Sequence, residues 1–214
     1  MAPPFVPARD QDAWGSIRGF VYQVSVTIAR WLALGADEAL LLECGEDIDH
    51  IAAAFAATDD RLLEQIKVRA GALSLRTALA LQGLANAVDQ RRANPSIGLR
   101  FRFTTTAAVA REQGHPDPDQ APGIEVWERL RTGSDRETED LALLHGLLDG
   151  AQRPASVPET TWANAASEFA DVTGLLSLVK VFEWAMATPS LDDQSAQVIR
   201  SLVSEGHAPL CQHA

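Results

Sequence analysis

The sequence predicts an α/β domain in which helices flank a mixed central sheet, continued by a mostly helical C-terminal half. Three observations predict it. A long amphipathic helix is followed by three short strand-like runs between residues 39 and 69. A second capped helix then leads into Leu99-Arg100-Phe101-Arg102-Phe103-Thr104-Thr105, which alternates apolar and polar with period two. Beyond residue 123 the apolar spacing is helical almost throughout. Helix, three strands, helix, strand is an α/β order, with helices covering a sheet.

Residues 1–12, MAPPFVPARDQD, read as a tail lacking the basic start and apolar core of a secretory signal. Asp10 or Asp12 caps a helix from about Ala13 to Leu34, with Ile17, Phe20, Val21, Val24, Ile28, Trp31 and Leu32 as its apolar face. Ala39-Leu40-Leu41-Leu42-Glu43 suits a buried strand, Cys44-Gly45-Glu46 turns the chain, and Asp47 to Phe55 reads as a second strand. After the polar turn Thr58-Asp59-Asp60, Leu62 to Arg69 completes a meander. Ser74 caps a helix that ends near Arg92, before Asn94-Pro95. In the strand from Leu99, residues Leu99, Phe101 and Phe103 share one face and Arg100 and Arg102 the other.

A proline- and aspartate-rich loop spans 114–123, followed by helices over Ile124–Arg131, Glu137–Leu148, Glu159–Phe169 and Leu191–Val203. Leu175 to Met186 reads as a helix, or as a helix followed by an edge strand around Val181–Trp184; periodicity leaves both open. The organisation expected is a tail over 1–12, a core over 13–112, a helical part of the same domain over 113–205, and a tail over 206–214.

Composition excludes several classes. At 214 residues, 46% hydrophobic and 22% charged, the chain is globular, and no apolar run approaches the roughly 20 residues that cross a bilayer. Two cysteines, Cys44 and Cys211, are too few for a disulfide framework, so a reducing, cytoplasmic setting is expected. Residues 1–111 balance twelve basic against twelve acidic side chains, whereas 112–214 carry six against seventeen, which accounts for the net charge of -11. Such a chain repels nucleic acid at long range. Yet Lys67, Arg69, Arg76, Arg91, Arg92, Arg100, Arg102 and Arg111 crowd the later part of the neutral half. They form either a local phosphate-binding surface or a solvated mixture of charges.

Parity along the third strand isolates the candidate chemistry. Gln65, Lys67 and Arg69 share one face, and Glu64, Ile66 and Val68 the other. A lysine in mid-strand between Ile66 and Val68 needs an acidic or phosphate partner. Asp47 and Asp49 on the preceding strand can supply one, and parity does not separate them, since both lie on one face. Taken alone, Asp followed by Gln-x-Lys fits a structural ion pair better than a catalytic site.

The grouping nevertheless resembles the PD-(D/E)XK nuclease core in its Gln-x-Lys variant, and the flanking motifs extend the resemblance. Gly19-Phe20-Val21-Tyr22-Gln23 on the first helix, Glu43-Cys44-Gly45-Glu46-Asp47-Ile48-Asp49, Glu64-Gln65-Ile66-Lys67, Ser74-Leu75-Arg76, the strand from Leu99 and Gly123-Ile124-Glu125-Val126-Trp127 occur in order. Together they resemble the double-stranded-DNA endonuclease domain of CD-NTase-associated (CBASS) and related bacterial anti-phage effectors, over residues 13–205 and most closely over 13–130. The family implies a restriction-endonuclease-like fold and Mg²⁺- or Mn²⁺-dependent hydrolysis of duplex DNA, with little sequence preference. It also implies activation by oligomerisation under a cyclic-oligonucleotide sensor (SAVED) or an NTPase module, in cis or in trans, because the chain ends without one. Carried over by motif, Asp47, Gln65 and Lys67 form the catalytic set. Asp47 is preferred to Asp49 because Glu46-Asp47-Ile48 matches the family's acidic pair followed by a β-branched residue.

In that reading Asp47, Gln65 and the backbone carbonyl of Ile66 hold the metal, with Glu43, Glu46 and Asp49 available to supply the missing negative charge. Lys67 orients the attacking water and stabilises charge on the phosphate. Gln23 supports the metal water or scissile phosphate, and otherwise makes an ordinary helix-surface hydrogen bond. Arg69, Arg76, Arg100 and Arg102 are the DNA contacts, although Arg100 and Arg102 equally suit the wet face of their strand. Trp127, Trp162 and Trp184 read as core anchors, His50 as a packed or edge histidine, and Cys44 has no evident histidine partner. Two rivals remain, a noncatalytic assembly or adaptor domain on the same fold and an RNA-directed nuclease.

Overall fold

Five strands form one mixed sheet in the order β1-β2-β3-β5-β7, and the chain winds helices over both of its faces. The computed structural model describes residues 13–42, 47–51, 60–113 and 121–204. Helix α1 (Ala13–Leu32) precedes β1 (Ala39–Leu42), β2 (Ile48–Ile51) and β3 (Arg61–Lys67), which pair antiparallel as the expected meander. After β4 (Ala72–Leu73) and α2 (Ala78–Ala93), β5 (Leu99–Thr105) returns parallel to β3, and β6 (Ala108–Val109) follows. Then come α3 (Gly123–Thr132), α4 (Glu137–Leu148), α5 (Glu159–Ala170), α6 (Val172–Val181), β7 (Phe182–Ala185) and α7 (Leu191–Ser204). The described residues thus hold seven helices, and none is long and apolar enough to cross a membrane.

The main core lies on the sheet face formed by Leu63 of β3, Phe101 and Phe103 of β5, and Phe182 and Trp184 of β7. Leu81, Leu84 and Val88 of α2 and Trp127 of α3 pack into it. Phe103 meets Trp184 with ring centroids 5.3 Å apart, and Trp127 meets Trp184 edge to face. Trp127 Nε1 donates to Phe182 O, and Glu128 Oε1 accepts from Trp184 N, so α3 satisfies backbone groups of the last strand. Trp162 packs edge to face on Phe169. The opposite face carries a smaller cluster of Tyr22, Val26, Ile48 and Ile66 beneath α1. Tyr22 Oη and Thr188 Oγ1 share a hydrogen bond of 2.8 Å, and the Ser25 and Ser195 hydroxyls meet at 3.5 Å, tying α1 to α7 and the segment before it.

Several boundaries differ from expectation. Thr77, not Ser74, caps α2: its hydroxyl accepts from Ala80 N and donates to Ser74 O, which pushes the helix start three residues on. Strand β3 stops at Lys67, where β5 also stops, and Val68 is exposed instead of continuing the Ile66 face. The second strand is described only over Ile48–Ile51, since 52–59 lie outside the described residues. The segment after Leu175 is helix and then edge strand.

The largest departure is α1. Its expected apolar face points outward: Ile17 is 47% exposed, Phe20 65% and Trp31 62%, with Val21 and Val24 also exposed. The helix buries Tyr22, Ser25 and Val26 instead, of which Tyr22 and Val26 pack on Ile48 and Ile66 and Ser25 faces Ser195 of α7.

Candidate active site

Strands β2 and β3 bring the expected residues to one corner of the sheet. Ile48 pairs with Glu64, so Asp47, one residue before β2 begins, comes beside Gln65 on the face opposite Ile48. Asp47 Oδ2 accepts a hydrogen bond of 2.6 Å from Ile66 N, and Lys67 Nζ stands 3.7 Å from the same oxygen. The Asp47 side chain is 19% exposed and that of Lys67 37%, so the pair reaches solvent where β3 ends. Gln65 shares their face, half-buried, but its amide oxygen reaches toward α2: a Cβ on Gly83 would lie 3.4 Å from Gln65 Oε1. The structure therefore converges Asp47, the Ile66 backbone and Lys67, and sets Gln65 deeper.

The donors suit a hard cation in kind. Asp47 Oδ1 takes neither of the two contacts that engage Oδ2. In an extended strand a residue's N–H and C=O leave on the same edge, so the Ile66 carbonyl emerges beside the Asp47 carboxylate that its N–H engages. A carboxylate and a carbonyl are the oxygen ligands that Mg²⁺ and Mn²⁺ favour. Among the described residues no group of three His, Cys, Asp or Glu side chains is placed to hold a metal. Any further acidic ligand falls to Glu43 or Glu46, which lie outside the described residues, or to Asp49, which pairs with Leu63 and whose side chain also lies outside them.

Beneath this corner, on the α1 face, is a network that sequence reasoning missed. Glu64, only 2% exposed, accepts from Arg30 Nε at 2.9 Å and Arg30 Nη2 at 2.8 Å, and from the Thr104 hydroxyl. Arg102 Nη1 stands 4.0 Å away. Burial pushes the Glu64 carboxyl up, but the hydrogen bonds and charge of Arg30, the Thr104 hydroxyl and Arg102 outweigh it and hold the carboxyl below its ordinary value. The same bonds raise Arg30 against its own burial. The available signal was the placement of Glu64 between two buried aliphatics, Leu62 and Ile66, on one strand face, which requires a cation.

The expected DNA contacts divide between faces. Arg100 and Arg102 lie on the α1 face, away from Lys67; Arg102 donates to Glu183 at 3.1 Å. Arg69 is exposed just past β3, where its backbone N–H and C=O both bond the Thr106 hydroxyl. Arg76 is exposed before α2, and Gln23 is half-buried on α1. His50, expected to be packed or at an edge, is half-buried on the interior strand β2, with Nε2 3.5 Å from Glu38 Oε2. Comparison with family models yields no match, and neither the curated proteins nor the solved structures yield one.

Proposed function

We propose that this protein is a metal-dependent endonuclease that hydrolyses phosphodiester bonds of double-stranded DNA, on a restriction-endonuclease-like core. The observation that carries the reading is the meeting of Asp47 Oδ2 with Ile66 N and Lys67 Nζ at the open end of β3. The topology supports the core: a helix, a three-stranded antiparallel meander, a crossover helix, and a strand returning parallel to the third. A bound Mg²⁺ or Mn²⁺ would polarise the scissile phosphate and lower the pKa of a bound water. Asp47 and the Ile66 carbonyl would hold it, with Gln65 as a neutral third donor after a rotamer change away from α2. Lys67 donates to the phosphate oxygen on which negative charge accumulates. The ordered motifs extend the reading to an effector of bacterial anti-phage defence that acts with a sensor or NTPase module in cis or in trans.

The exposed stripe of α1 supports self-association, with a second copy of the chain as its occupant. The uncovered parts of Ile17, Phe20, Val21, Val24 and Trp31 amount to on the order of 500 Å². That is more than half of the roughly 800 Å² each partner buries in a standard interface. Helix α1 contains no acidic residue on a chain of net charge -11, so two copies meeting there do not oppose carboxylates.

Titration calorimetry with Mn²⁺ on the wild type and on Asp47→Ala tests the site without relying on turnover. The reading expects one divalent site that the substitution removes. Absence of binding in the wild type leaves a scaffold or adaptor.

A further inference from the structure

We propose that the cavity between β4, β6 and the start of α2 is a phosphate subsite, which takes a backbone phosphate of the duplex away from the scissile bond. The duplex assignment rests on the nuclease reading, whereas the subsite itself does not. Past the ends of β3 and β5 the two exit segments pair again as a two-stranded parallel sheet, β4 with β6. A cavity of about 480 Å³ opens there, within the size range of small-ligand pockets. Ser74, Arg76 and Thr77 line it from one segment, and Arg111 and Gln113 from the other.

What brings the two arginines to one space is Glu112. Glu112 is 7% exposed, and its two carboxylate oxygens accept from Leu75 N at 2.9 Å and from Gly123 N at 3.0 Å. Leu75 adjoins Arg76 and Glu112 adjoins Arg111, so this staple holds the two guanidinium-bearing segments together. Both Glu112 oxygens are thereby engaged by backbone amides. The first-turn amide of Ala80 is taken by Thr77 Oγ1, so anion affinity rests on the arginines, not on the helix end. Two arginines among the residues lining one polar cavity, on a chain of net charge -11, favour an anion with several acceptor oxygens. Phosphate is the anion that fits this chemistry, and Lys67 lies at the same end of the sheet, five residues before β4. Arg100 and Arg102, on the α1 face, are not part of this subsite.

Two measurements on the full chain test it. Titration with inorganic phosphate, followed by amide chemical shifts, is expected to move residues 72–77 and 110–113 and to leave α5 unmoved. Arg76→Ala and Arg111→Ala should abolish the response, with the circular dichroism spectrum unchanged. Absence of shifts in the wild type, or their persistence in both variants, overturns the subsite. Anisotropy with a labelled duplex in EDTA then separates free phosphate from backbone phosphate. Each variant should lower the log–log salt slope of binding by about 0.9, and Arg136→Ala should leave it unchanged. An unchanged slope in both variants, or no duplex binding by the wild type, overturns the duplex as ligand even where inorganic phosphate binds. Absence of an Mn²⁺ site in the wild type would overturn the nuclease reading and leave the phosphate result standing.

Discussion

Replacing Arg30 by alanine removes both hydrogen bonds that the guanidinium makes to Glu64, at 2.8 and 2.9 Å, and strands a carboxylate that is 2% exposed. Removing one partner of a buried ion pair costs about 3–5 kcal/mol. Arg30 is itself 38% exposed, and Thr104 and Arg102 remain beside the carboxylate, so the low end applies, about 3 kcal/mol. For a domain of this length that lowers Tm by roughly 6–12 °C. Urea unfolding followed by tryptophan fluorescence reads it directly, because Trp127 and Trp184 sit in the main core.

The loss also carries a pH signature. In the wild type the folded Glu64 carboxyl lies below its ordinary value. The stability it contributes is therefore fully present above the unfolded value near about 4.3 and is lost as pH falls through the lower folded one. In Arg30→Ala the upward push of burial loses its main opponent, so the folded value rises. The deficit relative to wild type should then be largest at pH 7–8 and shrink as acid neutralises Glu64. Adding Glu64→Gln should recover part of the loss at pH 8 and little at pH 4. A deficit under about 1 kcal/mol, or one equal at pH 5 and pH 8, would refute this account of the buried pair.

Gly83→Ala should destabilise, although alanine is the better helix former by about 1 kcal/mol. The new Cβ would fall 2.9 Å from Cδ2 of the fully buried Phe103, and we expect a net loss of about 1–3 kcal/mol by urea unfolding. Glu112→Gln replaces one of two backbone-bonded oxygens by a donor; it should cost about 1–3 kcal/mol and increase hydrogen exchange at Leu75 or Gly123. Phe20→Asp with Val24→Asp should abolish concentration-dependent association in sedimentation velocity while the monomer keeps its helix content.

Much of the fold was legible because period two and period 3.6 were distinct. Leu99 to Thr105 could be read to the residue, and the three-strand meander followed from short apolar runs between turns. The start of α2 was misread because Ser74 and Thr77 are both capping residues, and only the hydrogen bond to Ala80 N distinguishes them. The orientation of α1 was misread for a different reason. An apolar stripe marks a face that seeks cover, but not which molecule covers it, and here the sheet takes the Tyr22 and Val26 side. The two-residue strands β4 and β6 have no period to detect, yet they build the arginine-lined cavity. In the candidate site, parity placed Gln65 and Lys67 on one face of β3, and the motif resemblance, not parity, chose Asp47 over Asp49. The approach of Gln65 to Gly83 depends on a helix that parity along one strand cannot see. The Arg30–Glu64 pair spans α1 and β3, and no local pattern joins them.

Digestion of supercoiled plasmid with Mg²⁺ or Mn²⁺ bears most directly on the central claim, with Lys67→Ala compared against wild type at concentrations where the protein self-associates. Wild type should nick and linearise the plasmid, with cleavage abolished by EDTA and reduced by roughly 10²–10³-fold in Lys67→Ala, the size expected for losing one charge-stabilising donor. Equal cleavage by both proteins, or none by the associated wild type with either metal, would contradict that claim.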